Sequence, residues 1–348
     1  MLPLPVDYPA MEAKLVSELP EGDGWQYEPK WDGFRCLAFK DGAAIALRSK
    51  SGQPLERYFP EIVEALNALP IPRCVLDGEL VVPEGDVLSF DTLLMRIHPA
   101  ASRIRKLAHE HPALFVVFDL LVDALGKSLT QQPLEIRRAA LERFAAKAFA
   151  GASTFRLSPM TRSRPAVEAW FDALGSGLDG VIAKRLELPY QSGERTGMQK
   201  YKRMRTADCV VGGFRYGSKS QAVGSMLLGL FDDAGLLHHV GFTSNITAAQ
   251  RAELTRKLEK LVGGTGFTGR APGGPSRWST ARSSEWQPLR PKLVVEVQYD
   301  HFSGDRFRHG TKFLRWRPEK APQQCTLAQV AQESVATLAL LSAQALNP

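Results

Sequence analysis

Three observations in the sequence predict an α+β fold in two domains. Short apolar strand patterns bounded by glycine turns alternate with stretches of helical period. Near residue 205 the character changes, where "KYKRMRTADCVVGGFRYGSK" opens a run of shorter strands and glycine turns. At 348 residues the chain is long enough for two ordinary domains.

In chain order, "FRCLAF", Lys40-Asp41-Gly42 and "AAIALRSKSG" predict a hairpin on an Asp-Gly turn. A helix follows with Pro60 in its first turn and Ile62, Leu66 and Leu69 on one face. "CVLDGELVV" and "ALFVVFDLLV" are apolar enough for strands buried on both faces. A helix is expected from about Pro133 to Ala150 and another over "PAVEAWFDAL", leading into the strand "LDGVIAKR". Beyond the boundary, "SMLLGLFD", "LHHVGFT" and "KLVVEVQYD" read as strands. A helix over Thr247–Leu261 opens on a Thr-x-x-Gln capping pattern and stops at Gly263-Gly264. The predicted domains are 1–205, a β-rich 206–325 of OB-barrel size, and an alanine- and leucine-rich helical tail over 326–348.

Composition narrows the function classes. A net charge of +7 favours a polyanionic partner. Cys36, Cys74, Cys209 and Cys325 are dispersed without a Cys-x-x-Cys spacing, which argues against a zinc module or disulfide framework and for reduced thiols in the cytoplasm. "MLPLPVDYPAMEAK" lacks the basic start and apolar run of a signal peptide, and no stretch reaches the length of about 18 apolar residues that a membrane span needs.

Several apolar strands carry charges that packing does not explain: Glu79, Asp119, Asp179 and Lys184. Lys200 and Lys202 flank Tyr201, which in a strand puts both amines on one face. Buried charges must meet one another or a bound ion. Taken singly, each reads as well as a solvated strand end or an ordinary turn. The ordered set does not: Lys30-x-Asp32-Gly33 in "YEPKWDGFR", then "LDGE", Phe118-Asp119, "DGVIAK" and "KYK". Over roughly residues 10 to 320 this series resembles the covalent nucleotidyltransferases, and among them the compact bacterial ATP-dependent DNA ligases.

The resemblance implies an adenylation domain of antiparallel sheets with flanking helices, followed by an OB-fold domain. Lys30 would attack the α-phosphorus of ATP, which needs an unprotonated amine. Burial and the cations Lys200 and Lys202 are expected to lower its pKa. Asp32 and Gly33 would shape the turn, and Arg35 would contact the nucleotide or the nick phosphate. Glu79 would hold the ribose and share a metal (Mg²⁺ or Mn²⁺) with Asp179, and Phe118 would stack on adenine. Lys200 and Lys202 would grip the α-phosphate. Glu28 and Lys184 complete the implied nucleotide site, and Arg317 and Lys320 of "RPEK" would orient pyrophosphate.

Three positions depart from the family pattern. Lys50 in Ser49-Lys50-Ser51-Gly52 replaces an arginine, with Arg48 as a candidate substitute. Asp179 stands for a glutamate and Met198 for a tryptophan, while Trp31 has no assigned role. ATP is favoured over NAD because only 29 residues precede Lys30 and no four-cysteine module is present. The basic clusters Lys200–Lys219 and Arg306–Lys320 are expected to touch phosphate backbone, with little sequence preference and strong salt dependence.

The implied partner is nicked or broken duplex DNA, met by a monomer in a bacterial cytoplasm at the nucleoid, in repair and recombination. Ku-like end-joining proteins are partners by resemblance alone. The competing readings are an RNA ligase, a capping-type enzyme, and a nucleic-acid-binding module without catalysis. The last would be marked by a missing lysine or acid, whereas Lys30, Glu79, Lys200 and Lys202 are all present.

Overall fold

Strands Phe34–Asp41 and Ala44–Ser49 pair antiparallel through a turn at Gly42, whose φ of +62° suits glycine. In this computed structural model, residues 1–174, 177–218, 220–273, 285–331 and 337–342 are described. They divide into two units: residues 1–202 with the C-terminal 337–342, and residues 203–331.

In the first unit the hairpin extends into a five-stranded sheet. Its order is Ala44–Ser49, Phe34–Asp41, Arg73–Val81, Leu114–Val122, Phe155–Leu157, and only the last pair is parallel. Alternation sends Cys36, Ala38, Leu76 and Leu80 to one face. There they pack with Ile62 and Leu66 of the helix Pro60–Ala68 and with Leu141 and Phe144 of the helix Leu134–Ala148. Lys40 reaches the end of the first of these helices, where its Nζ donates to the Leu66 and Asn67 carbonyls at 2.8 Å each.

The other face meets a four-stranded sheet ordered Lys14–Val16, Met198–Lys202, Gly180–Arg185, Trp25–Pro29. Val81, Val116 and Phe118 pack there against Trp25, Tyr27, Val181 and Ala183, with Val167 and Phe171 from the helix Arg164–Leu174. The same alternation turns Asp77 and Glu79 towards this inner layer. Their polarity is what turns part of the layer from core into site.

Two short helices have no counterpart in the sequence reading, Phe90–Met95 and Ala101–Glu110. The first is capped by Ser89 Oγ, which accepts from Thr92 N–H at 3.2 Å. Asp119 forms its ion pair outside the site, with the Lys184 charge only a lesser influence on it. It pairs at 2.9 Å through both oxygens with Arg137 of the Leu134–Ala148 helix, and both side chains are buried.

The second unit is an antiparallel sheet ordered Leu237–Thr243, Val223–Phe231, Arg205–Tyr216, Val294–Tyr299, Lys312–Trp316. Its two edges meet at one parallel bridge, Thr243 to Thr311, where Thr243 Oγ1 also donates to the Thr311 carbonyl at 2.9 Å. The sheet therefore curls in the manner of an OB fold without a full closing ladder. The helix Ala248–Glu259 begins where Thr247 N–H donates to Gln250 Oε1 at 3.2 Å.

The single helical tail from Thr326 does not form. Leu327–Val330 is one 3₁₀ turn that buries Val330 in the second unit's core, and Ala331 then leaves with ψ 121°. Ala339–Ser342 is a short helix whose Leu340 is buried in the first unit's core. The remainder of the expected tail, 332–336 and 343–348, lies outside the described residues. Alanine-rich propensity yields here to the burial of a few apolar side chains. Among the described residues no helix is long and apolar enough to cross a membrane.

The Asp119–Arg137 pair gives a direct test of these burial arguments. Arg137→Leu leaves a buried carboxylate unpaired and is expected to cost about 3–5 kcal/mol of stability in denaturant unfolding. The double replacement Asp119→Leu/Arg137→Leu is expected to cost much less.

Candidate active site

Lys30 directly follows the Trp25–Pro29 strand, and its backbone N–H still donates to the Gly180 carbonyl at 2.9 Å. The loop is thus tied to the neighbouring strand at the residue next to Asp179. Lys30 Nζ lies 3.2 Å from Asp179 Oδ2. Trp31 is buried and its indole N–H donates to Ser158 Oγ at 2.9 Å, so it anchors the loop that presents the amine. Gly33 is required by close approach: a Cβ there would overlap the Leu80 carbonyl and sit 2.8 Å from Glu79 Cγ.

These elements enclose a cavity of about 180 Å³ between the two sheets of the first unit. Arg35, Glu79 and Phe118 line it from the five-stranded sheet. Glu28, Lys184 and Lys200 line it from the other, and Lys30 and Lys50 at the loops. Register explains the second wall, because Ile182 is the Cα partner of both Glu28 and Lys200, so the three form one row. Lys202 lies two residues along, opposite Gly180.

Ion pairs organise the cavity. Lys184 Nζ donates to both oxygens of the buried Glu28 at 2.9 Å, and Gln26 Nε2 donates to Glu28 Oε1 at 2.8 Å. The Lys184 ammonium stands 4.4 Å from the Phe118 ring centre and the Arg35 guanidinium 4.5 Å from it. Arg35 is held in turn by Asp77, through Nε to Oδ1 at 2.5 Å and Nη2 to Oδ2 at 2.6 Å. Tyr190 O–H donates to Asp77 Oδ2 at 2.7 Å and accepts from Met11 N–H at 2.9 Å. Burial and the Asp77 charge push the Tyr190 phenol well above its usual range. The chain Tyr190–Asp77–Arg35 thus holds a guanidinium over the Phe118 ring.

The charge state of Lys30 differs from the sequence expectation. Burial alone would lower its pKa, but the charges of Asp179 and Asp32, the Asp179 hydrogen bond and the charge of Glu79 together hold it above the ordinary lysine value. The depressed amine is Lys200 instead, lowered by burial first and then by the Lys50, Lys202 and Lys30 charges. Burial also pushes Glu79 up to about 7, against the opposing pull of Arg35 and Lys30.

Arg48 does not stand in for the missing family arginine, since it is ion-paired with Glu56. Lys50 shares a different carboxylate. Its Nζ lies 2.9 Å from Glu12 Oε2, and Arg195 Nη2 lies 2.8 Å from the same oxygen. Two cations therefore converge on one acidic oxygen beside the cavity, and Arg195 brings the forked group that Lys50 lacks.

Asp77, Tyr190, Glu12 and Arg195 were not picked out by sequence. Asp77 had a signal, lying two residues before Glu79 and hence on the same strand face; the others had none. Arg317 and Lys320 lie in the second unit, where both pair with Asp208. Lys219 falls outside the described residues.

Comparison with known families decides the class. The ATP dependent DNA ligase domain matches residues 10–202, and the ATP dependent DNA ligase C terminal region matches residues 219–320. The chain belongs to the ATP-dependent DNA ligases. It is 47% identical over 338 residues to DNA ligase C2 of Mycolicibacterium smegmatis, covering 92% of this chain and 93% of that protein. DNA ligase C of Mycobacterium tuberculosis is 43% identical over 347 residues, covering 94% and 95%. A solved structure from a study of Lig E DNA ligases shares the fold, with a TM-score of 0.54 at 18% identity over 89% of this chain and 99% of that one.

In this ligase, Glu12 lines the cavity with Lys50 and neutralises both Lys50 and Arg195. Lys50 and Arg195 are both more than half exposed, so the bridge contributes little to stability. Glu12→Gln is expected to leave the melting temperature nearly unchanged. It is expected to strengthen binding of a 5′-phosphorylated nicked duplex several-fold at low salt and to steepen the salt dependence, as read by fluorescence anisotropy.

Proposed function

We propose that this ligase seals nicks in duplex DNA through an AMP carried on Lys30. The observation that carries the reading is the Lys30 amine, hydrogen-bonded to Asp179 and lining one cavity with Glu79, Phe118, Lys184 and Lys200. In the first step Lys30 Nζ attacks the α-phosphorus of ATP, a P–N bond forms, and the bond to pyrophosphate breaks. Asp179, already the hydrogen-bond acceptor of Nζ at 3.2 Å, is the nearest group able to take its proton. Lys200, with its lowered pKa, and Lys202 receive the charge that develops on the α-phosphate. In the second step the AMP passes from Lys30 to the 5′-phosphate at the nick, and in the third the 3′-hydroxyl displaces it.

The base would stack on Phe118, whose ring Arg35 supports, while Glu28 and Lys184 present paired polar groups to its edge. Arg35 therefore serves Phe118 more than phosphate, because Asp77 engages its fork. Lys50 and Arg195 take a phosphate oxygen in the place Glu12 Oε2 now holds. Arg317 and Lys320 act on the pyrophosphate.

Asp179 and Asp32 fit a divalent cation, their carboxylate oxygens lying within 4.8 Å of each other, and Glu79 is the further acid of that reading. Carboxylate oxygens placed together in this way suit Mg²⁺ or Mn²⁺. When bound, the cation supplies positive charge to the phosphate oxygens. The setting that goes with this reading is repair and recombination in a bacterial cytoplasm, by a monomer at the nucleoid. Ku-like end-joining proteins are partners proposed on the family resemblance alone.

The test is covalent labelling followed by sealing. Wild-type protein given α-labelled ATP and Mg²⁺ is expected to retain label through denaturation, then to seal a nicked duplex and release AMP. Lys30→Ala is expected to retain none, and chelation of the cation to stop labelling. Equal labelling of Lys30→Ala, labelling from GTP alone, or sealing of single-stranded RNA alone would each overturn the reading.

A further inference from the structure

Gln26 sits two residues before Glu28 on the Trp25–Pro29 strand, so alternation puts both side chains on one face. Its partner on the next strand is Lys184, the residue that also pairs with Glu28. Gln26 is fully buried and is not one of the residues lining the cavity, whereas Glu28 and Lys184 are. Its Nε2 donates to Glu28 Oε1 at 2.8 Å, while its own Oε1 is buried with no hydrogen-bond partner. A flipped amide would set that carbonyl oxygen against the carboxylate, so charge fixes the orientation. A buried amide with an unsatisfied carbonyl is unfavourable for the fold. The polar contact it makes is the N–H directed at Glu28.

The two oxygens of Glu28 are not equally occupied. A carboxylate offers about four acceptor positions, divided between its oxygens. Oε1 receives Gln26 Nε2 and Lys184 Nζ, whereas Oε2 receives Lys184 Nζ alone among the described residues. The position left over is on Oε2. We infer that Gln26 is a positioning residue that fixes which oxygen of Glu28 is offered to the nucleotide, and so makes the cavity select a purine carrying a 6-amino group. The inference rests on the proposed stacking of a base on Phe118 with Glu28 at its edge. A carboxylate acceptor attracts an exocyclic N–H and repels a carbonyl oxygen at the same place. With Lys184 as its only donor, the carboxylate could turn about its last bond and exchange its oxygens, since both would carry the same contact. Gln26 removes that equivalence, so the open acceptor is in place before the base arrives.

The test compares two nucleotides that differ at that one edge. Adenylation of the full-length protein is followed with α-labelled ATP and with α-labelled inosine triphosphate, whose base carries an oxygen where adenine carries the amino group. Wild type is expected to favour ATP. Gln26→Leu is expected to raise KM for ATP about fivefold with kcat little changed, the effect of one hydrogen bond lost from binding. KM for inosine triphosphate is expected to stay the same, so the preference narrows by about the same factor. The melting temperature is expected to hold or rise, because the unsatisfied carbonyl leaves with the amide. A glutamine of structural importance alone would lower it. If Gln26→Leu does not fold by circular dichroism, Gln26→Met carries the comparison.

Equal rises in KM for both nucleotides, or no rise for either, would overturn the inference while leaving Glu28 at the base edge. A wild type that does not distinguish the two nucleotides would instead remove the base-edge reading, and the inference with it.

Discussion

The ion pair between Lys30 and Asp179 is the interaction on which the rest of the site depends. It joins a loop after one strand to the residue before its neighbour, so the pairing of Trp25–Pro29 with Gly180–Arg185 fixes the Lys30 amine. It also sets the charge. A lysine among carboxylates is held as an ammonium, and in the proposed reaction it attacks only when the acids around it find another partner. In the proposed reaction a divalent cation and a polyphosphate together would supply that partner. On this account the free protein holds its reactive group in check by electrostatics, and the substrates release it.

The second layer of the site is less visible and equally necessary. Phe118 presents a flat apolar face in a cavity rich in charge, and it does so because Arg35 and Lys184 sit against it as halves of ion pairs with Asp77 and Glu28. Buried pairs of this kind add little net stability when complete, yet removing one partner is costly. They hold the geometry around Phe118 at the expense of tolerance to substitution. Asp208, with Arg317 and Lys320, repeats the device in the second unit.

Much of the fold was legible because its elements obey simple periods. The hairpin through Gly42, the Pro60–Ala68 helix and the inner strands follow directly from alternation and turn chemistry. Gly33 was legible as a turn, although its physical reason is contact with Leu80 and Glu79 on another strand. What local sequence could not supply was partnership across the chain. Asp77 with Arg35, Tyr190 with Met11, and Arg195 with Glu12 each join segments whose meeting depends on register and loop path. The direction of the Lys30 shift was misjudged for the same reason: the cations nearby were legible, and the nearer acid was not weighed. The Ala101–Glu110 helix escaped because only Ile104 and Leu107 are buried on it.

The most direct measurement is the charge of Lys30 itself. In ATP-free, metal-free protein carrying ¹⁵N at lysine Nζ, the Lys30 resonance followed against pH by NMR is expected to stay that of an ammonium beyond the ordinary lysine midpoint of about 10.4. Asp179→Asn is expected to move that midpoint down. A midpoint below the ordinary value in the wild type, unchanged by Asp179→Asn, would contradict the account. It would mean that the amine is activated by burial and neighbouring cations, without release from the surrounding acids.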